Sequence, residues 1–172
     1  VDASRFGLEE NIKMTAEIAE YAHARGVSVE GEIGCLGAVD GGEFTQNEMY
    51  TDPKQAKEFF EKTGIDALAI SIGTSHGNYP EGMVPKFDIE RLKEIKRLTN
   101  APLVLHGGSG SGRENILNSV KFGINKINVG CDFMNANRNA SAEILKENPD
   151  INYFDLIEGT ERESAELVRY YI

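Results

Sequence analysis

Apolar residues along the chain follow two spacings, one typical of helices and one typical of buried strands. Helical spacing predicts a first helix that ends at Gly26, with an apolar face of Leu8, Ile12, Ala16, Ala19 and Ala22. Strands are predicted over residues 27–34, 67–73, 101–106 and 125–130, and the nearly continuous apolar run at 67–73 is typical of a strand buried on both faces. Further helices are predicted from Thr51-Asp52-Pro53 to Gly64, from Asp88 through Leu98, from the glycine-rich GGSGSG loop to Gly123, over 132–147 and over 153–171.

Strand and helix therefore alternate four times, and Val1–Ser4 are expected to end one more strand. Short connections of this kind predict a parallel sheet with helices on its outside. Such a sheet is either open or closed into a (β/α)₈ barrel, which typically takes about 250 residues. With 172 residues, the chain is expected to form a small open α/β domain or half a barrel.

Composition and charge exclude several classes of function. Hydrophobic residues make up 40% of the chain and charged residues 27%, which excludes an intrinsically disordered protein. No apolar run approaches the roughly 20 residues of a membrane span, and a net charge of -10 disfavours nucleic acid as a partner. Only two cysteines, Cys35 and Cys131, are present, which indicates a reducing, cytoplasmic location.

Polar residues gather at the carboxyl ends of the predicted strands, where parallel α/β proteins place their active sites. His76 and His106 each stand after a strand and before a glycine, and Glu32 lies near the end of the first strand. Two histidines and a carboxylate are suited to zinc or a similar divalent metal. The remaining histidine, His23, is expected on a helix surface without a function.

The stretch His106 to Gly112 (HGGSGSG) is a candidate phosphate site. Glycines allow backbone N–H groups to face an anion, Ser109 adds a hydroxyl, and the next helix presents its positive end. A plain tight turn is the alternative interpretation. Asn128, at the end of the following strand, favours the anion site.

Five segments together resemble the class II, metal-dependent ketose-bisphosphate aldolases, a family that includes fructose- and tagatose-bisphosphate aldolases. They are VEGEIGCLG at 29–37, YTDP at 50–53, GTSHG at 73–77, LHGGSG at 105–110 and KINV at 126–129. The resemblance implies a (β/α)₈ TIM barrel of which this chain covers the second half, with strands 5–8 and their flanking helices. It also implies that residues 1–172 form a single domain with a mobile active-site loop at about 35–50.

The same resemblance implies roles for individual residues. His76 and His106 would bind Zn²⁺, with Glu32 as a ligand in an alternative position, and nearby glycines would help to bind a monovalent cation. Asn128 would hydrogen-bond the developing oxyanion, and the acid of the mobile loop would be Asp40 in direct register or Glu43 after a shift. The phosphate and enediolate of dihydroxyacetone phosphate would be held by Gly77, Gly107, Gly108, Ser109, Asn128, Val129, Gly130 and Cys131.

The implied reaction is the metal-dependent cleavage of a ketose 1,6-bisphosphate, of the fructose or the tagatose series, by a homodimer or homotetramer. The sequence departs from the family pattern in the loop acid and at Cys131, where threonine is usual, and it lacks the third histidine ligand and the aspartate beside it. A non-catalytic aldolase-like subunit is therefore one alternative. A metal-dependent hydrolase barrel, which also gathers histidine and carboxylate at strand ends, is the other.

Overall fold

A computed structural model describes residues 1–34, 37–38, 50–76, 79 and 83–172, with the backbone alone at 37–38 and 75–76. The chain divides into two compact units, Val1–Asn128 and Val129–Ile172. The first unit contains α1 (Leu8–His23), β1 (Glu30–Ile33), β2 (Gly37–Ala38), α2 (Pro53–Thr63), β3 (Ala67–Ile70), β4 (Ser75–His76), α3 (Ile89–Thr99), β5 (Leu103–Leu105), α4 (Arg113–Phe122) and β6 (Ile124–Ile127). The second contains α5 (Cys131–Glu147) and α6 (Tyr153–Tyr171).

The first unit is built on a parallel sheet of four strands in the order β1-β3-β5-β6. Each strand pairs with the next sheet strand along the chain, which confirms the predicted alternation of strands and helices. The strands are shorter than predicted, although backbone bonds from Leu68 N to Pro102 O and from Asn128 N to Leu105 O extend the ladder beyond them. A second, two-stranded sheet pairs β2 with β4, which the sequence did not predict.

Residues before α1 lie along the free edge of β1, where Glu32 N donates to Val1 O. Val1–Ser4 was expected to end a strand, but no strand is formed there. Ser4 instead donates from its backbone N–H and its hydroxyl to Asp2 Oδ1, so that the chain turns towards α1. The amino group of Val1 also donates to Glu30 O, so two hydrogen bonds join this segment to the sheet.

The outer face of the sheet carries the apolar core. Leu68, Ile70, Leu103 and Leu105 are fully buried, as are Phe59 on α2 and Leu92 and Ile95 on α3. The chain packs closely against β1 at Gly31, since a Cβ built there would lie 2.9–3.2 Å from atoms of Ile65, of Thr15 on α1 and of Phe59 on α2. The predicted inward positions of α2 and α3 are confirmed at Ala56, Phe59, Leu92 and Ile95.

Helix α1 buries the predicted face only in part, at Ala19, and buries two polar residues beside it. Asn11, Thr15 and Ala19 are buried, whereas Leu8, Ile12, Ala16 and Ala22 are only half-buried. The amide of Asn11 donates to Glu32 O over 2.9 Å, and the hydroxyl of Thr15 donates to Asn11 Oδ1 over 3.0 Å. Because these polar groups are hydrogen-bonded to one another and to the backbone of β1, their burial does not carry the usual desolvation cost.

Thr51 joins the ends of β1 and β3 to the start of α2. Its buried hydroxyl donates to Ile33 O over 2.8 Å and accepts from Ser71 N over 2.9 Å. Gly34 passes the same hydroxyl with φ +91°, where a Cβ would come within 2.5 Å of Thr51 Oγ1. Asp52 then caps α2 as predicted by accepting from the backbone N–H groups of Lys54 and Gln55.

The second unit is a pair of packed helices, as predicted for 132–147 and 153–171. The amide of Asn137 on α5 donates to Ser164 Oγ on α6 over 2.7 Å, and Tyr171 OH donates to Asp132. Gly159 allows close packing, since a Cβ there would lie 2.6 Å from Ile144 Cδ1. Within the described part of the chain, neither these helices nor any other is long and apolar enough to cross a membrane.

Candidate active site

The inner face of the sheet carries charged side chains on its two outer strands and small or aliphatic side chains on its two middle strands. Residues in register point to the same face, and Glu30 and Glu32 on β1 are in register with Ala67 and Ala69 on β3. Ala69 is in turn in register with Val104 on β5, and Val104 with Lys126 on β6. Because of this register, acidic residues, small residues and a lysine line one face in that order.

His106 follows β5 by one residue and reaches across β3 to both carboxylates of β1. Its Nε2 lies 2.9 Å from Glu30 Oε1, and its Nδ1 lies 3.0 Å from Glu32 Oε2. Strands β1 and β5 are separated by β3, hence by about 10 Å, and the small side chains of Ala67 and Ala69 leave room for these contacts. Lys126 Nζ adds a third ion pair by lying 2.8 Å from Glu30 Oε2.

The histidine and the two glutamates of this cluster are largely shielded from solvent, so their charges interact strongly. The exposed fraction of the side chain is 7% for Glu32, 16% for His106 and 28% for Glu30. The hydrogen bond with Glu32 raises the pKa of His106, against the opposing effect of burial, and the bond with Glu30 raises it further. Burial disfavours the charged form of Glu30, but hydrogen bonds with Lys126 and His106 outweigh it and lower the pKa of that carboxyl.

The donor set is suited to a divalent metal. Two ligand atoms at about 2.0–2.1 Å from a tetrahedral zinc ion lie about 3.3 Å from each other. Nδ1 of His106 and Oε2 of Glu32 are 3.0 Å apart, so both can bind one ion after a small adjustment. Among the described side chains, no group of three or more histidine, cysteine or acidic residues is placed to complete such a site.

The glycine-rich loop after β5 is tied to the end of β6. Gly108 N donates to Asn128 O over 3.0 Å, while Gly107 and Gly110 both adopt φ +67°. Ser109 and Ser111 are buried, and the hydroxyl of Ser111 donates to Gly107 O. The loop thus leads directly into the amino end of α4, and the hydrogen bond of Gly108 holds it to the backbone of Asn128.

The other predicted site residues are not brought to this cluster by the described geometry. Asp40, Glu43 and Gly77 lie outside the described residues, as does most of the predicted loop at 35–50, and only the backbone of His76 is described, in β4. Val129, Gly130 and Cys131 belong to the second unit, where Cys131 begins α5. Their roles stay predictions.

Two site residues were missed by the sequence reasoning, Glu30 and Lys126. A signal for both was present, because Glu30 is two residues before Glu32 and Lys126 is two residues before Asn128. In a strand, residues two apart share a face, so each stands on the same face as a residue already chosen. His23, in contrast, forms the expected half-exposed surface contact, 2.9 Å from Asp66.

Comparisons with known proteins agree with this geometry. The family model described as fructose-bisphosphate aldolase class-II matches residues 1–172. A fructose-bisphosphate aldolase of Geobacillus stearothermophilus is 40% identical over 151 residues, which are 88% of this chain and 52% of that protein. The chain thus spans about half the length of the curated relatives it matches.

Solved structures give the same result. The YdjI aldolase of Escherichia coli K12 superposes with a TM-score of 0.79 at 35% identity, over 99% of this chain and 59% of that one. A putative fructose-1,6-bisphosphate aldolase of Coccidioides immitis gives 0.77 at 31% identity, over 99% and 61%. These similarities agree with the parallel strands and the polar inner face described above. The chain belongs to the class II fructose-bisphosphate aldolase family.

Proposed function

We propose that this protein performs the metal-dependent, reversible cleavage of a ketose 1,6-bisphosphate to dihydroxyacetone phosphate and glyceraldehyde 3-phosphate. The observation that carries the proposal is the position of His106 between Glu30 and Glu32. A half-buried histidine with a carboxylate at 3.0 Å, near the carboxyl end of a parallel strand, is a suitable start for a metal site. Family membership favours the aldolase over the hydrolase barrel.

In this proposal, His76 and His106 hold a divalent metal, Zn²⁺ by family resemblance, and Glu32 is a ligand in an alternative position. The metal supplies Lewis-acid chemistry at the ketone carbonyl of the substrate. Asn128 donates from its side-chain amide to the oxygen on which negative charge develops, so that it stabilises the transition state more than the ground state. A monovalent cation would bind near the glycines that follow both histidines.

The substrate phosphate is proposed to bind at the loop before α4. Gly107, Gly108 and Ser109 are proposed to contact the phosphate, and the amino end of α4 adds its partial positive charge. The N–H of Gly108 already donates to Asn128 O, so it is not one of the proposed donors. Further contacts are proposed for Gly77, Val129, Gly130 and Cys131. Binding of this remote phosphate orients the reacting carbon, while Asp40, or Glu43 after a loop shift, exchanges the proton on that carbon.

We propose that the whole chain is the second half of a (β/α)₈ barrel and that residues 1–172 belong to one domain. Four consecutive parallel strands, with helices between them, support this architecture. A homodimer or homotetramer is proposed from the family, and light scattering would measure its mass. A cytoplasmic location is proposed from the cysteine content.

The test combines metal analysis with cleavage assays on the purified protein. One zinc ion per chain, with chelator-sensitive release of triose phosphate, is the expected result. Fructose and tagatose 1,6-bisphosphate are assayed in parallel, because they differ at a single stereocentre and the preferred one identifies the substrate. A protein without metal and without cleavage of either sugar would refute the proposal and favour a non-catalytic aldolase-like subunit.

A further inference from the structure

The proposed function leaves Glu30 and Lys126 without a role, although both belong to the cluster around His106. Glu30 has each of its oxygens paired, one with His106 Nε2 at 2.9 Å and the other with Lys126 Nζ at 2.8 Å. The four side chains thus form a continuous line, in the order Lys126, Glu30, His106 and Glu32. A neutral imidazole carries one proton, so only one of the two carboxylates can accept a hydrogen bond from it.

We propose that Glu30, held by Lys126, accepts the Nε2 proton of His106 and thereby presents Nδ1 as the atom that binds a divalent metal ion beside Glu32. Glu30 and Lys126 are positioning residues, since they act through His106. The proposal rests on the proposed function for the presence of the metal. The position of the proton on His106 is measured independently of any metal.

Two features of the cluster decide between the ring nitrogens. A metal ion on Nε2 would separate His106 from Glu30, a carboxylate whose charge is already shared with Lys126. An ion on Nδ1 would bind between His106 and Glu32, and Lys126 and Glu30 would stay in place. Glu32 is also nearer than Glu30 to the carboxyl end of β1, and ligands of parallel sheets bind at that end.

Burial adds to the same conclusion. Glu32 is 7% exposed, so its charge is compensated poorly by water and strongly by a cation beside it. Lys126 is 53% exposed and can neutralise Glu30 while its ammonium group remains hydrated. An outer carboxylate that holds a histidine ligand in this way fixes both its tautomer and its ring orientation.

Glu30→Gln is the informative variant, because an amide has a single acceptor oxygen. The ammonium group of Lys126 takes that oxygen, so the amide NH₂ turns towards Nε2 of His106. Nε2 must then be unprotonated, and the proton moves to Nδ1. In the double variant Glu30→Gln, Lys126→Met, the amide is free to turn back, and Nε2 regains its proton.

The tautomer is read from nitrogen-15 NMR spectra of metal-free protein labelled at histidine, at alkaline pH. The His106 signals are identified by their loss in His106→Gln. We expect a proton on Nε2 in the parent protein, on Nδ1 in Glu30→Gln and again on Nε2 in the double variant. A proton on Nδ1 in the parent protein, or the same tautomer in all three proteins, would overturn the proposal.

Metal binding is measured separately, by competition of Zn²⁺ with a chromophoric chelator and by the visible spectrum of bound Co²⁺. Removal of an outer-shell partner typically lowers metal affinity about 10–100-fold, and we expect Glu30→Gln to fall in that range, with a changed Co²⁺ spectrum. Asp66→Asn, which disturbs the His23–Asp66 contact of the same 2.9 Å length, is the matched control and should bind Zn²⁺ like the parent protein.

An unchanged Zn²⁺ affinity in Glu30→Gln would refute the positioning role. If Glu30→Gln does not fold, Lys126→Met takes its place, with a smaller expected loss and with recovery in Lys126→Arg. A parent protein that binds no Zn²⁺ would contradict the proposed function, whereas the NMR result would still decide which carboxylate accepts the proton of His106.

Discussion

The substitution Gly31→Ala tests how tightly α1 and α2 pack against β1. The added Cβ would lie 2.9 Å from Ile65 Cδ1, 3.1 Å from Thr15 Cγ2 and 3.2 Å from Phe59 Cε1. Carbon atoms pack best at about 3.5–4.0 Å, so each contact is too short by several tenths of an ångström. Ile65, Thr15 and Phe59 are themselves at most 4% exposed, and they have little room to move.

Overpacking of this kind costs about 1–3 kcal/mol. In a domain of this size, 1 kcal/mol corresponds to a change in Tm of about 2–4 °C, so we expect the melting temperature of Gly31→Ala to fall by about 2–12 °C. Thermal and urea unfolding of the purified protein, followed by circular dichroism, would measure this change. Gly31 also stands between Glu30 and Glu32, so a displaced strand should weaken Zn²⁺ binding as well.

The control is Gly7→Ala, at a glycine with φ −62° and open space where the Cβ would be. Gly7 is the N-cap of α1, where alanine is less favourable than glycine, so we expect a loss of no more than about 1 kcal/mol without any steric conflict. If Gly31→Ala is as stable as Gly7→Ala, the packing described for the outer face of β1 is wrong.

Three further predictions concern other parts of the chain. Thr51→Val removes the buried hydroxyl that donates to Ile33 O and accepts from Ser71 N, so it should lower the free energy of unfolding, measured in urea, by about 1–3 kcal/mol. Thr51→Ser keeps the hydroxyl and should keep most of that free energy, and equal losses in the two variants would contradict the role of the hydroxyl. Because the pKa of His106 is raised in the fold, its protonated form stabilises the metal-free protein fully below the unfolded pKa of about 6.5, and this stabilisation should be lost as the pH rises through the folded pKa. If the free energy of unfolding depends on pH in the same way in His106→Gln, this contribution of His106 is excluded. Cys131→Thr replaces the weakly donating thiol at the proposed phosphate site with a hydroxyl, which is a better hydrogen-bond donor, and should lower the KM for the bisphosphate. An unchanged KM would show that Cys131 does not belong to that site.

The order of the elements was predictable from the sequence because it depends on local patterns. Short segments near glycine or proline, including the apolar run at 67–73, located every strand of the four-stranded sheet. The buried face of α1 was predicted only in part, because apolarity was taken as the only reason for burial. Asn11 and Thr15 are buried through mutual hydrogen bonds and a bond to the backbone of Glu32, which no periodicity of apolar residues reveals.

The candidate site was predictable only in part. His106 and Glu32 were chosen from their positions near strand ends, and the structure places them 3.0 Å apart. The contact of Lys126 with Glu30 spans 96 positions of the chain and crosses the intervening strands, so it depends on the register of every pair between β1 and β6. Register is a property of the assembled sheet, and the sequence does not state it.

The small side chains in the middle of the inner face have a consequence for how the protein folds. Alanine is a poor strand former, yet Ala67 and Ala69 occupy the strand over which His106 passes. A slip of one residue in any strand pair would turn the ionic side chains to the opposite face. The contacts of His106 with Glu30 and Glu32, and the metal binding proposed there, therefore depend on the alignment of β1, β3 and β5, and a misaligned folding intermediate would lack both.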